Sequence, residues 1–135
     1  MSRRDARESA FRLLYQMEIR KSDPTSQRDI YLEQYPLDEE DVPYFDAIVS
    51  GVSTRSEELD ELFSPLLKGW KIDRLPKVDL VILRISVYEI RFRPDVPVSV
   101  SISEAVILSK KYSSEESKAY INAVLGRIES GEKDE

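Results

Sequence analysis

Apolar residues recur about every 3.6 positions along almost the whole chain, which is the repeat of an amphipathic α-helix. In the first segment this spacing puts five apolar side chains on one face, those of Ala6, Ala10, Leu13, Leu14 and Met17. The sequence contains only four glycines, and no two-residue hairpin signal separates alternating segments. We therefore predict an all-helical fold.

Capping residues and prolines divide this pattern into successive helices. The predicted helices begin near Ser2, Arg28, Asp38 or Asp41, Thr54, Pro76, Ser101 and Ser113. Three of these starts have the Ser/Thr-x-x-Glu spacing of a capping box, with Glu57, Glu104 and Glu116 as the glutamates. The helix from Pro76 to about Phe92 is apolar around nearly its whole circumference, so we predict that it is the central helix.

Length and composition favour one domain. A chain of 135 residues with 41% hydrophobic residues can bury a single core, and we assign residues 1–130 to it. The last five residues, 131–135, are charged and lack apolar side chains, so we predict a disordered tail. The N-terminus leads into no cleavable apolar segment and no stretch is long enough to span a membrane, so we expect a cytoplasmic protein.

The composition excludes most enzyme chemistry. The chain has no cysteine and no histidine, so it offers no disulfide, thiol nucleophile, imidazole base or common zinc site. No glycine-rich phosphate loop occurs either. Carboxylates cluster at residues 57–61, but they lie on the polar side of an amphipathic helix and are most simply a solvated face. We expect no cofactor, no metal and no catalysis, and a carboxylate metal site is the only enzyme hypothesis left open.

The charges are unevenly distributed. The net charge is −6, yet residues 1–22 carry six basic and three acidic groups, and residues 63–112 carry nine and five. Residues 23–62 carry two basic and twelve acidic groups. Such a bipolar surface can meet an anion at one end and a basic partner at the other.

Binding residues are predicted on the first helix. Arg3, Arg4 and Arg7 share one side of its start, where phosphate benefits from both their charge and the helix dipole. Phe11 and Tyr15 project on the same side and offer rings for stacking, or else form secondary core. From the residues alone, single-stranded RNA binding and a helical protein-interaction scaffold or homodimer both remain open.

Four segments together resemble the NusB family of bacterial transcription antitermination factors. They are Arg3-Arg4-Asp5-Ala6-Arg7-Glu8 with Leu14-Tyr15-Gln16; Trp70-Lys71-Ile72-Asp73-Arg74; Leu83 to Ile90; and Val96-Pro97 leading to Ile102–Val106 and Tyr120–Leu125. Their order and spacing match from about residue 3 to residue 128. The resemblance implies about seven helices in two small helical bundles.

The resemblance also implies a function. Members of the family bind the boxA element of nascent RNA, above all from ribosomal RNA operons, together with the small-subunit ribosomal protein NusE. They join the RNA polymerase elongation complex with other Nus factors and suppress premature termination. A rival reading is a non-catalytic scaffold or homodimer without RNA selectivity.

The family's functional positions carry over residue by residue. The RNA-binding positions fall on Arg3, Arg4, Arg7, Glu116, Ser117, Lys118 and Tyr120. The positions that face NusE fall on Tyr15 and Asp79. Asp5 interrupts the family's arginine motif, and Ser103 and Ala123 replace its usual Asn and Gly.

A few polar residues are assigned to architecture. Arg84 interrupts the apolar surface of the predicted central helix, and an ion there needs a partner to offset its desolvation. We predict that Glu104 is that partner. Asn122 and Trp70 are likewise assigned structural roles.

Overall fold

The computed structural model describes residues 3–131. Its six α-helices are α1 (Arg3–Arg20), α2 (Arg28–Gln34), α3 (Val42–Phe63), α4 (Lys77–Phe92), α5 (Val98–Tyr112) and α6 (Glu115–Ser130). Four short 3-10 segments lie in the connections, at Pro24–Gln27, Glu39–Asp41, Ser64–Leu66 and Ile72–Arg74. No strand occurs between residues 3 and 131. The all-helical prediction is confirmed, with a helix number near the predicted seven.

The chain divides into two compact units. The first comprises Met1–Arg55 and the second Ser56–Glu135. The boundary falls within α3, where Arg55 has a non-helical backbone conformation with φ −120° and ψ 17°. The assignment of residues 1–130 to a single domain stays a prediction.

The first unit contains α1, α2 and the start of α3. The predicted apolar face of α1 is confirmed, because all five of its residues are buried. Phe11 was expected on the basic side of the helix, but it is also buried, at 1% exposure. Tyr15 is half-buried and its ring stacks on that of Phe11, with centroids 5.9 Å apart. The aromatic stripe is therefore partly core, and burying a ring of this size stabilises the unit by about 1.5–3 kcal/mol.

The second unit is built around α4, α5 and α6, which pack against one another. Most of α4 is buried, including Ile82, Leu83 and Val87 at no measurable exposure. Pro76 is the N-cap of α4, as predicted, because its fixed φ suits a helix start where no backbone N–H is needed. The central position predicted for this helix is confirmed within the unit.

Two of the predicted capping boxes are wrong. Helix α5 begins after Pro97, three residues before Ser101. Ser101 is instead buried, and its hydroxyl donates to Glu89 Oε1 at 3.3 Å. Helix α6 is capped by Ser114, whose hydroxyl accepts from the Ser117 N–H at 3.0 Å, one residue later than predicted.

The third capping box, at Thr54, is also not formed. The Thr54 hydroxyl donates back to the Ser50 carbonyl at 2.8 Å, so it does not cap a new helix. Such i−4 bonds from Thr are a known cause of helix bending. Helix α3 continues to Phe63 through the kink at Arg55, which explains why one fewer helix is present than the pattern predicted.

The ends of the predicted elements need one adjustment. Gly131, which we placed in the disordered tail, ends α6 in the left-handed conformation at φ 77°, with its N–H bonded to the last carbonyls of the helix. Ser2 and residues 132–135 lie outside the described residues. No helix in the described range is both long and apolar enough to cross a membrane. That range also contains no group of three carboxylates placed to hold a metal ion.

Candidate nucleic-acid interface

Arg3 and Arg4 lie exposed in the first turn of α1. The Arg3 guanidinium sits over the ring of Tyr44, with 4.7 Å from Cζ to the ring centroid. A cation over an aromatic face is held electrostatically, worth about 0.5–1 kcal/mol at an exposed site. The contact orients Arg3, which stays exposed to solvent.

Arg7 has a different environment from the one predicted. It is 4% exposed, and its Nη2 donates to the Tyr44 hydroxyl at 2.8 Å. Its guanidinium also lies 5.4 Å from the Tyr44 ring centroid. In this structure Arg7 therefore holds Tyr44 in place beneath Arg3, and a direct phosphate contact by Arg7 does not fit its burial.

Residues 116–120 occupy the first two turns of α6. Glu116 is exposed, while Ser117, Lys118 and Tyr120 are half-buried. Glu115, just before them, forms an ion pair with Lys118 at 3.0 Å. The helix start itself is fixed by the Ser114 cap, so these side chains stand on a well-defined backbone.

Asp79 ties this helix start to α4. Its carboxylate is 2% exposed and accepts hydroxyl hydrogen bonds from Ser113 at 2.9 Å and from Ser117 at 2.7 Å. We expected Asp79 on a partner-facing surface, but the structure buries it. A buried carboxylate with two internal donors positions neighbouring elements and does not present its charge to a partner.

Tyr120 combines a partly exposed ring with a buried hydroxyl. The hydroxyl oxygen is buried and has no hydrogen-bond partner among residues 3–131. Burial raises the pKa of the Tyr120 phenol above its ordinary value, because the charged form would lose its hydration.

Trp70 lies beside Tyr120 and is half-exposed, so its predicted structural role stays a prediction. It is 50% exposed, and its ring centroid is 5.9 Å from that of Tyr120 at an interplanar angle of 57°. It follows Gly69, whose φ of 80° is a conformation that residues with a Cβ rarely adopt. The glycine allows the chain to turn and leaves the indole at the surface.

The residues assigned to architecture give a mixed result. Arg84 forms a bidentate pair with Asp60, both hydrogen bonds measuring 2.8 Å. The predicted pairing of Arg84 with Glu104 stays a prediction, although Glu104 is buried at 8% exposure as a structural role requires. Asn122 is exposed on α6, so its assignment to the core is wrong. The polar residue sits on the solvent side of the stripe formed by Ile121 and Val124.

The candidate residues form two groups, one in each unit. The first consists of Arg3, Arg4 and Arg7 with Tyr44, and the second consists of residues 116–120 with Asp79 and Trp70. Sequence reasoning missed Tyr44, Asp60 and the exposure of Trp70. Tyr44 and Asp60 carry no local signal, because each acts through a residue at least 24 positions away. Gly69 marks the turn before Trp70 but does not by itself indicate that the indole is exposed.

An all-helical chain with an exposed arginine-bearing helix start and an aromatic pair near lysines has the features of a nucleic-acid-binding protein. Comparison with known proteins makes this class specific. The model of the NusB family matches residues 4–130, and the chain belongs to that family.

The curated relatives of this chain agree with the family assignment. The transcription antitermination protein NusB of Ruminiclostridium cellulolyticum is 46% identical over 132 residues, covering 98% of this chain and 91% of the relative. That of Acetivibrio thermocellus is 47% identical over 128 residues, covering 95% and 88%.

Solved structures share the fold. T. maritima NusB superposes with a TM-score of 0.89 at 30% identity, covering 100% of this chain and 94% of that one. A crystal structure of the antitermination factors NusB and NusE in complex with dsRNA gives a TM-score of 0.86 at 28% identity, with 96% of both chains covered.

Proposed function

We propose that this chain is a transcription antitermination factor that binds boxA-containing RNA together with NusE. In this role it joins the RNA polymerase elongation complex with other Nus factors in the cytoplasm and suppresses premature termination, above all in ribosomal RNA operons. It catalyses no reaction. The RNA form that we propose is single-stranded, because unpaired bases are the ones an aromatic ring can reach.

The family assignment supports this proposal across nearly the whole chain. The solved NusB–NusE complex contains dsRNA, which supports an RNA-binding role for the fold that its NusB chain shares with this one, and the single-stranded form is our proposal. The two relatives named above carry the name of antitermination proteins. Residue-level roles are proposals that build on this assignment.

One observation carries the RNA-binding role: Arg3 and Arg4 are exposed at the N-terminal turn of α1 in a chain whose net charge is −6. At that position the positive end of the helix dipole adds to the arginine charge. Arg7 and Tyr44 support the site from below by orienting Arg3. We therefore assign phosphate contact to Arg3 and Arg4 and positioning to Arg7.

The acidic overall charge explains why a partner is needed. Phosphate binding is driven by released counterions, and two arginines release few of them. A basic ribosomal protein would add to the phosphate contacts and would be attracted by the twelve acidic groups of residues 23–62. We propose that Tyr15, half-buried on α1, lies on the surface that meets this partner.

The test compares Arg3→Ala/Arg4→Ala with a control at the other end of the same helix, Arg20→Ala/Lys21→Ala. Both variants lose two exposed positive charges, but only the first loses them beside the helix N-terminus. Binding of labelled boxA single strand, scrambled strand and duplex is measured with and without NusE at several salt concentrations.

We expect the Arg3/Arg4 variant to bind boxA RNA at least about tenfold more weakly and to lower the salt slope by about 1.4, the value for two contacts to a single strand. The melting temperature and the control variant should remain close to the unmodified protein. An equal loss of RNA affinity in both variants would mean that the loss comes from the lower net positive charge and not from the position of Arg3 and Arg4. If the unmodified chain bound no RNA even with NusE, the scaffold interpretation would be favoured.

A further inference from the structure

We propose that the indole of Trp70 is a base-stacking surface of the RNA site, next to Tyr120, which extends that site onto the connector between α3 and α4. The inference rests on the proposed function, because it assigns a new residue to the same RNA. The occupant is an unpaired base of single-stranded nucleic acid.

The exposure of Trp70 is the first observation. Half of its surface is open to solvent, and it is the only tryptophan in the chain. Exposing half of a large ring forgoes part of the stabilisation that its full burial would give. An aromatic face that is open and not needed for the core is available to a ligand.

The backbone that carries Trp70 is anchored, which a stacking platform requires. The backbone N–H of Trp70 donates to the Leu67 carbonyl at 2.9 Å. Arg127 on α6 donates from Nη1 to the Leu66 carbonyl at 2.8 Å, and the side chains of Leu66 and Leu67 are buried. The connector is thus anchored to α6, the helix that also carries Tyr120.

The tilted geometry of the aromatic pair is compatible with the half-exposure of Trp70. At 57° the two rings meet in a tilted arrangement, so Tyr120 covers only part of the indole. A base can then stack on the exposed part of the indole. Such stacking does not depend strongly on the RNA sequence, because every base has a π-face. Two adjacent rings at different angles suit two unstacked bases better than they suit a stacked duplex.

The charge around Trp70 selects nucleic acid over an apolar protein segment. Residues 68–77 contain four basic groups, Lys68, Lys71, Arg74 and Lys77, against one acidic group, Asp73. Lys68 and Lys71 flank the indole within two residues and are exposed. Rings interleaved with basic side chains are the pattern that follows a single-stranded backbone.

The experiment uses the full chain and two independent signals. Labelled boxA single strand reports binding by fluorescence anisotropy, while the intrinsic fluorescence of Trp70, which has no other tryptophan to mask it in this chain, reports base stacking as quenching. The titration is run with the unmodified chain alone, and the anisotropy measurement is repeated with NusE.

Variants give the energetic test. Trp70→Ala removes the ring, Trp70→Phe retains a smaller π-face, and Tyr35→Ala removes a similarly exposed ring from the first unit as the matched control. We expect Trp70→Ala to weaken RNA binding about 5- to 100-fold, Trp70→Phe to recover part of it, and Tyr35→Ala to leave it unchanged. Circular dichroism melting checks that each variant is folded.

The outcomes separate the inference from the function on which it rests. Quenching that saturates with the anisotropy change, together with the loss in Trp70→Ala, supports the stacking role. RNA binding without quenching and without loss in Trp70→Ala overturns the stacking role and leaves the proposed function intact. If Trp70→Ala does not fold, quenching in the unmodified chain still decides. Absence of binding by the unmodified chain, even with NusE, overturns both.

Discussion

Replacing Asp79 with alanine removes the carboxylate that joins α4 to the start of α6. Asp79 accepts hydrogen bonds from the hydroxyls of Ser113 and Ser117 at 2.9 and 2.7 Å. Hydrogen bonds to a charged group are worth about 1.5–3 kcal/mol each, so the gross loss is about 3–6 kcal/mol. Removing the carboxylate also relieves its burial cost of several kcal/mol, and the two half-exposed serines regain water. We expect a net loss of about 2 kcal/mol in the free energy of unfolding.

Urea denaturation followed by circular dichroism measures this loss as a shift of the midpoint at constant slope. Asp73→Ala is the control, because it removes the same charge from an exposed position in the neighbouring 3-10 segment and should change the free energy by less than about 0.5 kcal/mol. In a double-mutant cycle, Ser117→Ala should cost about 1 kcal/mol alone and almost nothing after Asp79→Ala.

The same variant decides between the two roles considered for Asp79. If Asp79 faced a partner, Asp79→Ala would weaken NusE binding and leave stability unchanged. Because Asp79 is buried, we expect Asp79→Ala to lower stability. A change below about 0.5 kcal/mol with additive serine effects would refute the reasoning from burial and hydrogen bonding.

Three further outcomes follow from the described contacts. Arg84→Ala should lower the free energy of unfolding by about 1–3 kcal/mol, because the ion pair of Arg84 with Asp60 is largely shielded from solvent. Arg93→Ala should lower it by about 1 kcal/mol or less, because the ion pair of Arg93 with Asp95 is more exposed. Denaturant titration of both variants measures the two losses. Arg7→Met should cost about 1–3 kcal/mol in the free energy of unfolding by removing the buried hydrogen bond to the Tyr44 hydroxyl, and unchanged stability would contradict the burial of this arginine. Tyr120→Phe should raise the free energy of unfolding by up to about 1 kcal/mol, because it removes a buried hydroxyl without a partner. Burial raises the pKa of the Tyr120 phenol, so the unfolded chain loses the phenol proton at a lower pH than the folded chain does. The folded state therefore loses stability as the pH rises above about 10. Tyr120→Phe should reduce that loss in thermal melts at alkaline pH.

Local sequence patterns predicted the helices well and their starts less well. The apolar stripe of α1 and the buried central helix α4 followed from spacing, because the 3.6-residue repeat is imposed by the helix itself. The starts of α5 and α6 were misplaced because the Ser-x-x-Glu spacing occurs at Ser101 and Ser113, whereas the helices have Pro97 and Ser114 as their N-caps. The hydroxyls of Ser101 and Ser113 instead donate hydrogen bonds to Glu89 and Asp79.

The sequence predicted which residue types form the candidate site, but it predicted only partly which of their side chains are exposed to solvent. The spacing and the family resemblance identified Arg3, Arg4 and Tyr120, whose surroundings fit the proposed roles. The burial of Arg7 and Asp79 depends on Tyr44 and on Ser113 and Ser117, which are 34 to 38 positions away in the chain. No local pattern encodes such partners.

The sequence by itself determined the helical class, the core faces, the lack of thiol and imidazole chemistry, and the basic start of α1, since each depends on residue type and short-range spacing. Tertiary structure alone decided which charged side chains are withdrawn from solvent and which rings remain exposed. Arg7 and Asp79 were turned inward because a distant hydroxyl offset their desolvation, whereas Trp70 was left at the surface because the anchored connector turns at Gly69.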